Sequence, residues 1–199
     1  MGTPQDEGAP VPVDLLVEAF RQGKPDAFEA IVRTHQNRVY ALCARMLSDR
    51  EEALDMSQEV FLSAYRKLHT FRGDSSLSTW LLRIAANRCL NHIRQKKTAS
   101  SREMQWPTIG EGDDGMEFQP VASEEHQPDR ITENTEAGAI LSKALDRLNP
   151  ASRWMVLLSD VEGFSHEEIA ELAKVPIGTV KSRLHRARMT LRQTLDSVI

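Results

Sequence analysis

From residue 178 to 192 the chain carries five basic side chains and no acidic one. At 100° per residue, Val180, Leu184, Ala187 and Leu191 fall within about 60° of one another and form an apolar stripe. Gly178, Lys181, Ser182, His185 and Arg192 then point the opposite way, with Arg183, Arg186 and Arg188 on the flanks. Side chains near the start of a helix lying in a major groove reach base edges, and flanking cations hold phosphates. The pattern assigns Lys181, Ser182 and His185 to base edges and Arg186 to bases or backbone. Arg183 and Arg188 fall to phosphates or to packing at the domain edge.

A second basic run lies upstream. Arg83, Arg88, Arg94, Lys96 and Lys97 follow one another without an acid between them, and Asn87 and Asn91, four apart, put two amides on one helix face. Just before this run, Phe71 and Arg72 stand in a turn-forming stretch, Phe71-Arg72-Gly73-Asp74-Ser75. An aromatic and an arginine beside a basic groove suit unstacked single-strand bases. Trp80, at a core-facing position, reads on spacing alone as packing.

The elements that carry these groups are helical by period. Phe28, Ile31, Val32, His35, Val39, Leu42, Cys43 and Met46 recur at three- and four-residue steps. A second helix over about 51–68 turns Leu54, Val60, Phe61, Ala64, Tyr65 and Leu68 inward, with Ser48 or Asp49 as its cap. A third, over about 76–96, buries Leu77, Trp80, Leu81, Ile84, Ala85, Leu90 and Ile93. Downstream, Ile140, Leu141, Ala144, Leu145 and Leu148 mark another helix, and Asn149-Pro150 is a cap followed by a first-turn proline. Ser165-His166-Glu167-Glu168 is a capping box. A short helix, a break at Lys174-Val175-Pro176 and a longer basic helix from Gly178 or Thr179 make a helix-turn-helix pattern. Strand patterns are absent, so the expected fold class is all-α.

The net charge of the 199 residues is −4, but it is unevenly placed. Residues 14–97 carry +4 and residues 137–199 carry +2, while residues 98–136 carry −8. Pro107, Pro120, Pro128 and several glycines interrupt that acidic stretch, which cannot bury enough apolar surface to offset its ordering entropy. The expected organisation is a disordered tail over 1–13, a helical domain over 14–97, a flexible acidic linker over 98–136, and a four-helix domain with the helix-turn-helix over 137–199. No run of eighteen apolar residues exists and the N-terminus has no signal-peptide pattern, so a cytoplasmic protein is expected. Cys43 and Cys89 have neither metal-site nor disulfide-framework spacing and read as inert thiols on apolar faces. No metal cluster, paired-carboxylate constellation or phosphate-cradling loop is present in the pattern. Neither an enzyme nor a cofactor or metal site is expected.

Three motifs, in order, resemble those of bacterial extracytoplasmic-function sigma factors. Asp55-Met56-Ser57-Gln58-Glu59-Val60-Phe61 resembles the helix that family members dock on the clamp of RNA polymerase. Phe71-Arg72-Gly73-Asp74, continued by Ser78-Thr79-Trp80-Leu81-Leu82-Arg83-Ile84-Ala85-Ala86-Asn87, resembles the segment that opens and reads the −10 promoter element. The run Glu162-Gly163-Phe164-Ser165-His166-Glu167-Glu168-Ile169-Ala170, followed by residues 178–188, resembles the −35-binding helix-turn-helix.

The resemblance implies core-polymerase binding by Asp55, Gln58, Glu59 and Phe61. It implies −10 contacts by Phe71, Arg72, Asp74, Ser75, Trp80, Arg83, Asn87, Asn91 and Arg94. It implies −35 contacts by Thr179, Lys181, Ser182, Arg183, His185, Arg186 and Arg188. The implied partners are core RNA polymerase, promoter DNA and an anti-sigma factor, with a stress- or envelope-responsive regulon. The sequence departs from many relatives in having Ala173-Lys174 where they place a glycine. The alternative reading is a stand-alone helix-turn-helix regulator, which would bind duplex DNA without polymerase.

Overall fold

The computed structural model describes residues 12–47, 49–100 and 136–196. Most of the expected tail and of the expected linker, like Ser48, lies outside the described residues.

The N-terminal domain is built from four helices: α1 (Val13–Arg21), α2 (Asp26–Leu47), α3 (Arg50–Lys67) and α4 (Leu77–Ser100). A 310 turn, Leu68–Thr70, ends α3. Helices α2, α3 and α4 pack on one another around Ile31, Val39, Leu42, Met46, Ala53, Val60, Ala64, Leu81, Ala85 and Leu90, and α1 lies against α2. Asp49 caps α3, its carboxylate accepting the Glu52 N–H at 3.0 Å. The cap of α4 is Ser76, whose hydroxyl accepts the Thr79 N–H at 3.1 Å.

Three features differ from the expectation. Helix α1 was not expected; its apolar residues Leu16, Val17 and Phe20 pack on the core, with Val17 buried. Helix α4 runs to Ser100, three residues into the stretch assigned to the linker. Leu54 and Tyr65, expected inward, are 51% and 48% exposed, because the inner face of α3 is filled by Ala53, Met56, Ser57, Val60, Ser63 and Ala64. Tyr65 still packs its ring edge-on against Phe20 and Phe28, at 5.1 and 5.0 Å.

The C-terminal domain comprises α5 (Glu136–Asp146), α6 (Pro150–Val156), α7 (His166–Ala173) and α8 (Ile177–Asp196). A π-helical turn, Leu157–Val161, extends α6. The expected caps form. Asn149 accepts the Ser152 N–H at 2.9 Å, and Pro150 occupies the first turn, where a missing N–H is harmless. At α7 the Ser165 hydroxyl accepts the Glu168 N–H at 3.1 Å, and Glu168 returns the bond by accepting the Ser165 N–H at 2.8 Å. Trp154, Met155, Leu157, Leu158, Ile169, Val180 and Leu184 form the core under α8.

Two of the helix ends closed by a left-handed residue make an instructive pair. Beyond α1, Gly23 at φ 83° lets its N–H reach Phe20 O and the Lys24 N–H reach Ala19 O, closing the last carbonyls. Beyond α7, the same pattern joins Lys174 N–H to Glu171 O and Val175 N–H to Ala170 O at 3.1 and 3.0 Å. There the left-handed residue is Lys174, at φ 55° and ψ 47°, where its Cβ crowds the backbone. Lys174→Gly should therefore raise stability by roughly 0.5–1 kcal/mol, the strain relieved outweighing the added freedom of the unfolded chain. A thermal melt of the full chain checks this, and an unchanged or lower midpoint would contradict it.

Candidate nucleic-acid interface

Helix α8 presents the face that its period requires. Val180, Leu184 and Ala187 are buried, and Leu191 is half-buried, so the helix is seated on its apolar stripe. Lys181, Ser182, His185 and Arg186 are all exposed on the other side. Thr179 and Arg183 are half-buried at the margin. The Ser182 hydroxyl donates to Thr179 O at 3.1 Å, and Arg186 Nε donates to Ser182 O at 3.3 Å, bonds that an incoming base or phosphate can replace.

Arg188 has an internal employment. Its guanidinium donates to both carboxylate oxygens of Asp160, at 2.6 and 3.0 Å, and to Ser159 Oγ at 3.2 Å. The hydrogen bond to Asp160 raises the Arg188 pKa further above its ordinary value. This fork ties α8 to the π-helical turn and fixes the helix that carries Lys181 and His185.

On the N-terminal domain the −10 candidates divide into an exposed and a buried set. Arg72, Asp74, Asn87 and Asn91 are exposed, and Ser75 is half-buried. Phe71 is buried against Trp80, ring centroids 5.5 Å apart, and its carbonyl accepts a hydrogen bond from Arg21. Gly73, at φ 80°, supplies the left-handed turn that reverses the chain between Phe71 and α4. Arg83 is buried, and its guanidinium pairs with Glu168 of the C-terminal domain. Arg94 donates to Ala173 O at 3.1 Å, and desolvation there lowers its pKa. The structure thus joins Asn87 and Asn91 on one open face of α4 and places Arg83 and Arg94 under the other domain.

The outer face of α3 carries Asp55, Gln58 and Glu59, all exposed, while Phe61 is half-buried against the core. Glu59 accepts from Arg88 of α4 at 2.9 Å. Two residues that sequence reasoning missed complete this face: Leu54 and Leu62, 51% and 59% exposed, stand four residues either side of Gln58. The signal was available in the i, i+4, i+8 spacing, but Leu54 was read as core because it is apolar. Nearby, Glu52 ties α3 to α4 by bonds to Lys96 and to His92, the latter at 3.2 Å. The Lys96 bond holds the Glu52 carboxyl below the usual carboxylate range.

Cys43 and Cys89 are free and buried. The neighbouring Cys43 thiol and burial push the Cys89 thiol far up, so Cys89 is not a ready thiolate. His35, inside α2, has its Nε2 buried without a hydrogen-bond partner, and desolvation lowers its pKa. Among the described residues, no helix is long and apolar enough to cross a membrane.

Comparison with known proteins closes the question of family. Residues 31–98 match the Sigma-70 region 2 model and residues 139–191 match the Sigma-70, region 4 model. The RNA polymerase sigma-H factor of Pseudomonas aeruginosa is 33% identical over 92% of this chain and 94% of its own length. The ECF RNA polymerase sigma factor SigW of Bacillus subtilis is 31% identical over 90% of this chain and 94% of its own. The solved structure of the sigma factor RpoE of Bartonella quintana, in complex with the anti-sigma factor NepR, superposes with a TM-score of 0.58 at 25% identity. That match covers 85% of this chain and 96% of the solved one. A stand-alone regulator would account for the helix-turn-helix but not for the region 2 match over the first domain. The chain belongs to the sigma-70 family as an extracytoplasmic-function sigma factor, a non-enzymatic initiation factor that binds core RNA polymerase and directs it to promoter DNA.

Proposed function

We propose the following division of labour among the residues. The open face of α4, with the loop from Phe71 to Ser75, captures the non-template strand of the −10 element. Extruding a base from the duplex costs a few kcal/mol, which stacking and hydrogen bonding in a protein pocket offset. Asn87 and Asn91 supply the amides for that pocket, and the Phe71–Trp80 pair supports it. Helix α8 reads the −35 element as duplex in the major groove, with Lys181, Ser182 and His185 on base edges and Arg186 beside them. The outer face of α3 docks on the polymerase clamp through Asp55, Gln58 and Glu59, aided by Leu54 and Leu62. On this reading residues 14–97 are the polymerase- and −10-binding domain, 137–199 the −35-binding domain, and the acidic stretch 98–136 threads the nucleic-acid path of the polymerase. The protein works in the cytoplasm, at a stress- or envelope-responsive regulon, and an anti-sigma factor holds it, as NepR holds its solved relative.

The observation that carries this reading is the exposure of two separate base-reading faces, Asn87 and Asn91 on α4 and Lys181, Ser182 and His185 on α8, one in each domain. Asn87→Ala tests it. Core-polymerase binding should stay at the wild-type level while open-complex formation, followed by permanganate reactivity of unpaired thymines, falls several-fold. Loss of polymerase binding in Asn87→Ala would overturn the division of labour.

A further inference from the structure

Helix α1 reaches the loop before α4 through one side chain. Arg21, in the last turn of α1, donates from Nη2 to the carbonyl oxygen of Phe71. A basic residue at the end of a helix ordinarily turns back on that helix's own last carbonyls. Here those carbonyls are taken: Gln22 N–H meets Glu18 O at 3.0 Å, Lys24 N–H meets Ala19 O at 3.1 Å, and Gly23 N–H meets Phe20 O at 2.9 Å. The guanidinium is left for a partner outside α1, and Glu18, 3.7 Å away on the same helix, steadies it. The base from which it reaches is firm, because Val17 is buried and the Phe20 ring packs on Phe28 and Tyr65 at 5.7 and 5.1 Å.

Phe71 is the last anchored residue before the loop. Its N–H closes the 310 turn on Leu68 O at 3.2 Å, and its ring is buried against Trp80. Beyond it Arg72, Gly73 and Asp74 are exposed, until Ser76 caps α4. The N–H and the ring fix Phe71 itself, but neither fixes the peptide plane between Phe71 and Arg72. A peptide is planar, so holding its oxygen also sets where the Arg72 N–H and Cα lie. Ordering a long side chain that is 40% exposed returns little stability. The consequence of the contact is the aim of the loop.

We infer that α1 belongs to the promoter-opening site and that Arg21 is its positioning residue: by holding the Phe71–Arg72 peptide, it sets residues 72–75 against the extruded −10 base. The inference rests on the assignment of that loop and of Asn87 to the −10 element. Groups that recognise a ligand must stand within about 0.5 Å of their productive geometry, and they do so only when neighbouring residues lock them. A peptide plane free to turn at Phe71 would carry Arg72, Asp74 and Ser75 away together. Arg21 supplies that lock from an element that itself offers no group to the base.

Two variants of the full chain test this. Arg21→Met keeps an unbranched apolar stem and removes the donors, whereas Arg21→Lys keeps a charged donor. In the free chain, the NMR order parameters of the Arg72–Ser75 amides should fall towards about 0.6, the flexible range, in Arg21→Met and stay near wild type in Arg21→Lys. With core polymerase, the substrates are a promoter fragment mapped with the wild-type holoenzyme and fragments in which each base of its −10 non-template strand is replaced in turn. Arg21→Met should slow opening of the matched fragment, read by permanganate reactivity, by about three- to tenfold and narrow the gap between matched and replaced bases. Core binding and closed-complex affinity should hold at the wild-type level, and Arg21→Lys should recover most of the rate and the discrimination. Loop order unchanged in Arg21→Met would overturn the inference, and so would a loosened loop with discrimination intact. An equal loss on every fragment, or a loss of core binding, would overturn it too, since that marks a direct phosphate contact or a merely structural role. Asn87→Ala, run alongside, separates two failures. If Asn87→Ala slows opening and Arg21→Met does not, the role of α1 alone falls; if neither does, the −10 assignment falls and takes this inference with it.

Discussion

Trp154→Ala should lower the stability of the chain by about 3–5 kcal/mol, the range for deleting a large aromatic from a packed core. Trp154 is fully buried, and its indole fills the space under α8 while its N–H reaches Ala86 O of α4. Truncation would leave a void that its neighbours Met155, Leu157 and Leu158, held in a short helix and a π-helical turn, are poorly placed to fill. Against a typical total of about 5–15 kcal/mol, that loss is a large fraction. Trp154→Phe keeps the aromatic bulk and loses only part of the ring and the hydrogen bond, so it should cost about 1–2 kcal/mol. Urea unfolding followed by circular dichroism separates the two. Equal midpoints for Trp154→Ala and wild type would show that the C-terminal core does not depend on this residue.

Replacing Lys181 and Arg186 together should have the largest effect on DNA. Each lies exposed on α8, and a base-edge contact is worth about 1–3 kcal/mol. If the two add, holoenzyme affinity for its promoter falls by about 2–6 kcal/mol, a loss of thirtyfold or more. The losses should differ in kind. Lys181→Ala should relax discrimination at its base position, whereas Arg186→Ala, if its contact is to backbone, should weaken all sequences alike and flatten the salt dependence. Arg188→Ala is the contrast, since Arg188 spends its guanidinium on Asp160 and its removal should act on the seating of α8. Fluorescence anisotropy of holoenzyme on a promoter duplex measures all three. Wild-type affinity in the double variant would move the −35 contacts off this face.

Much of this was legible in the sequence because local chemistry and tertiary need coincide there. The Asn149-Pro150 cap, the Ser165–Glu168 capping box and the apolar stripe of α8 each follow from side-chain types at fixed spacing, and each forms. Helix α1 escaped because its nine residues adjoin a Pro-containing acidic tail and pack only one narrow stripe. Leu54 and Tyr65 were misplaced because periodicity ranks apolar residues by phase, and α3 has small residues where its neighbours approach most closely. The fate of Arg83 was out of reach for a different reason. Nothing local marks an arginine in a basic run as the partner of a glutamate 85 positions away that already serves a capping box. Lys174 lies between these cases: the missing glycine was visible, but only the fold shows that the left-handed turn is made regardless.

The central claim is that this chain gives core polymerase its promoter choice through two separate elements. Transcription of fragmented genomic DNA from the source organism, by sigma-free core RNA polymerase with and without the purified chain, tests it most directly. With 5′ ends mapped, the account predicts discrete start sites that depend on the chain and share two upstream sequence elements, centred near −10 and −35. Absence of initiation, together with a footprint of the chain alone on duplex DNA, would contradict it.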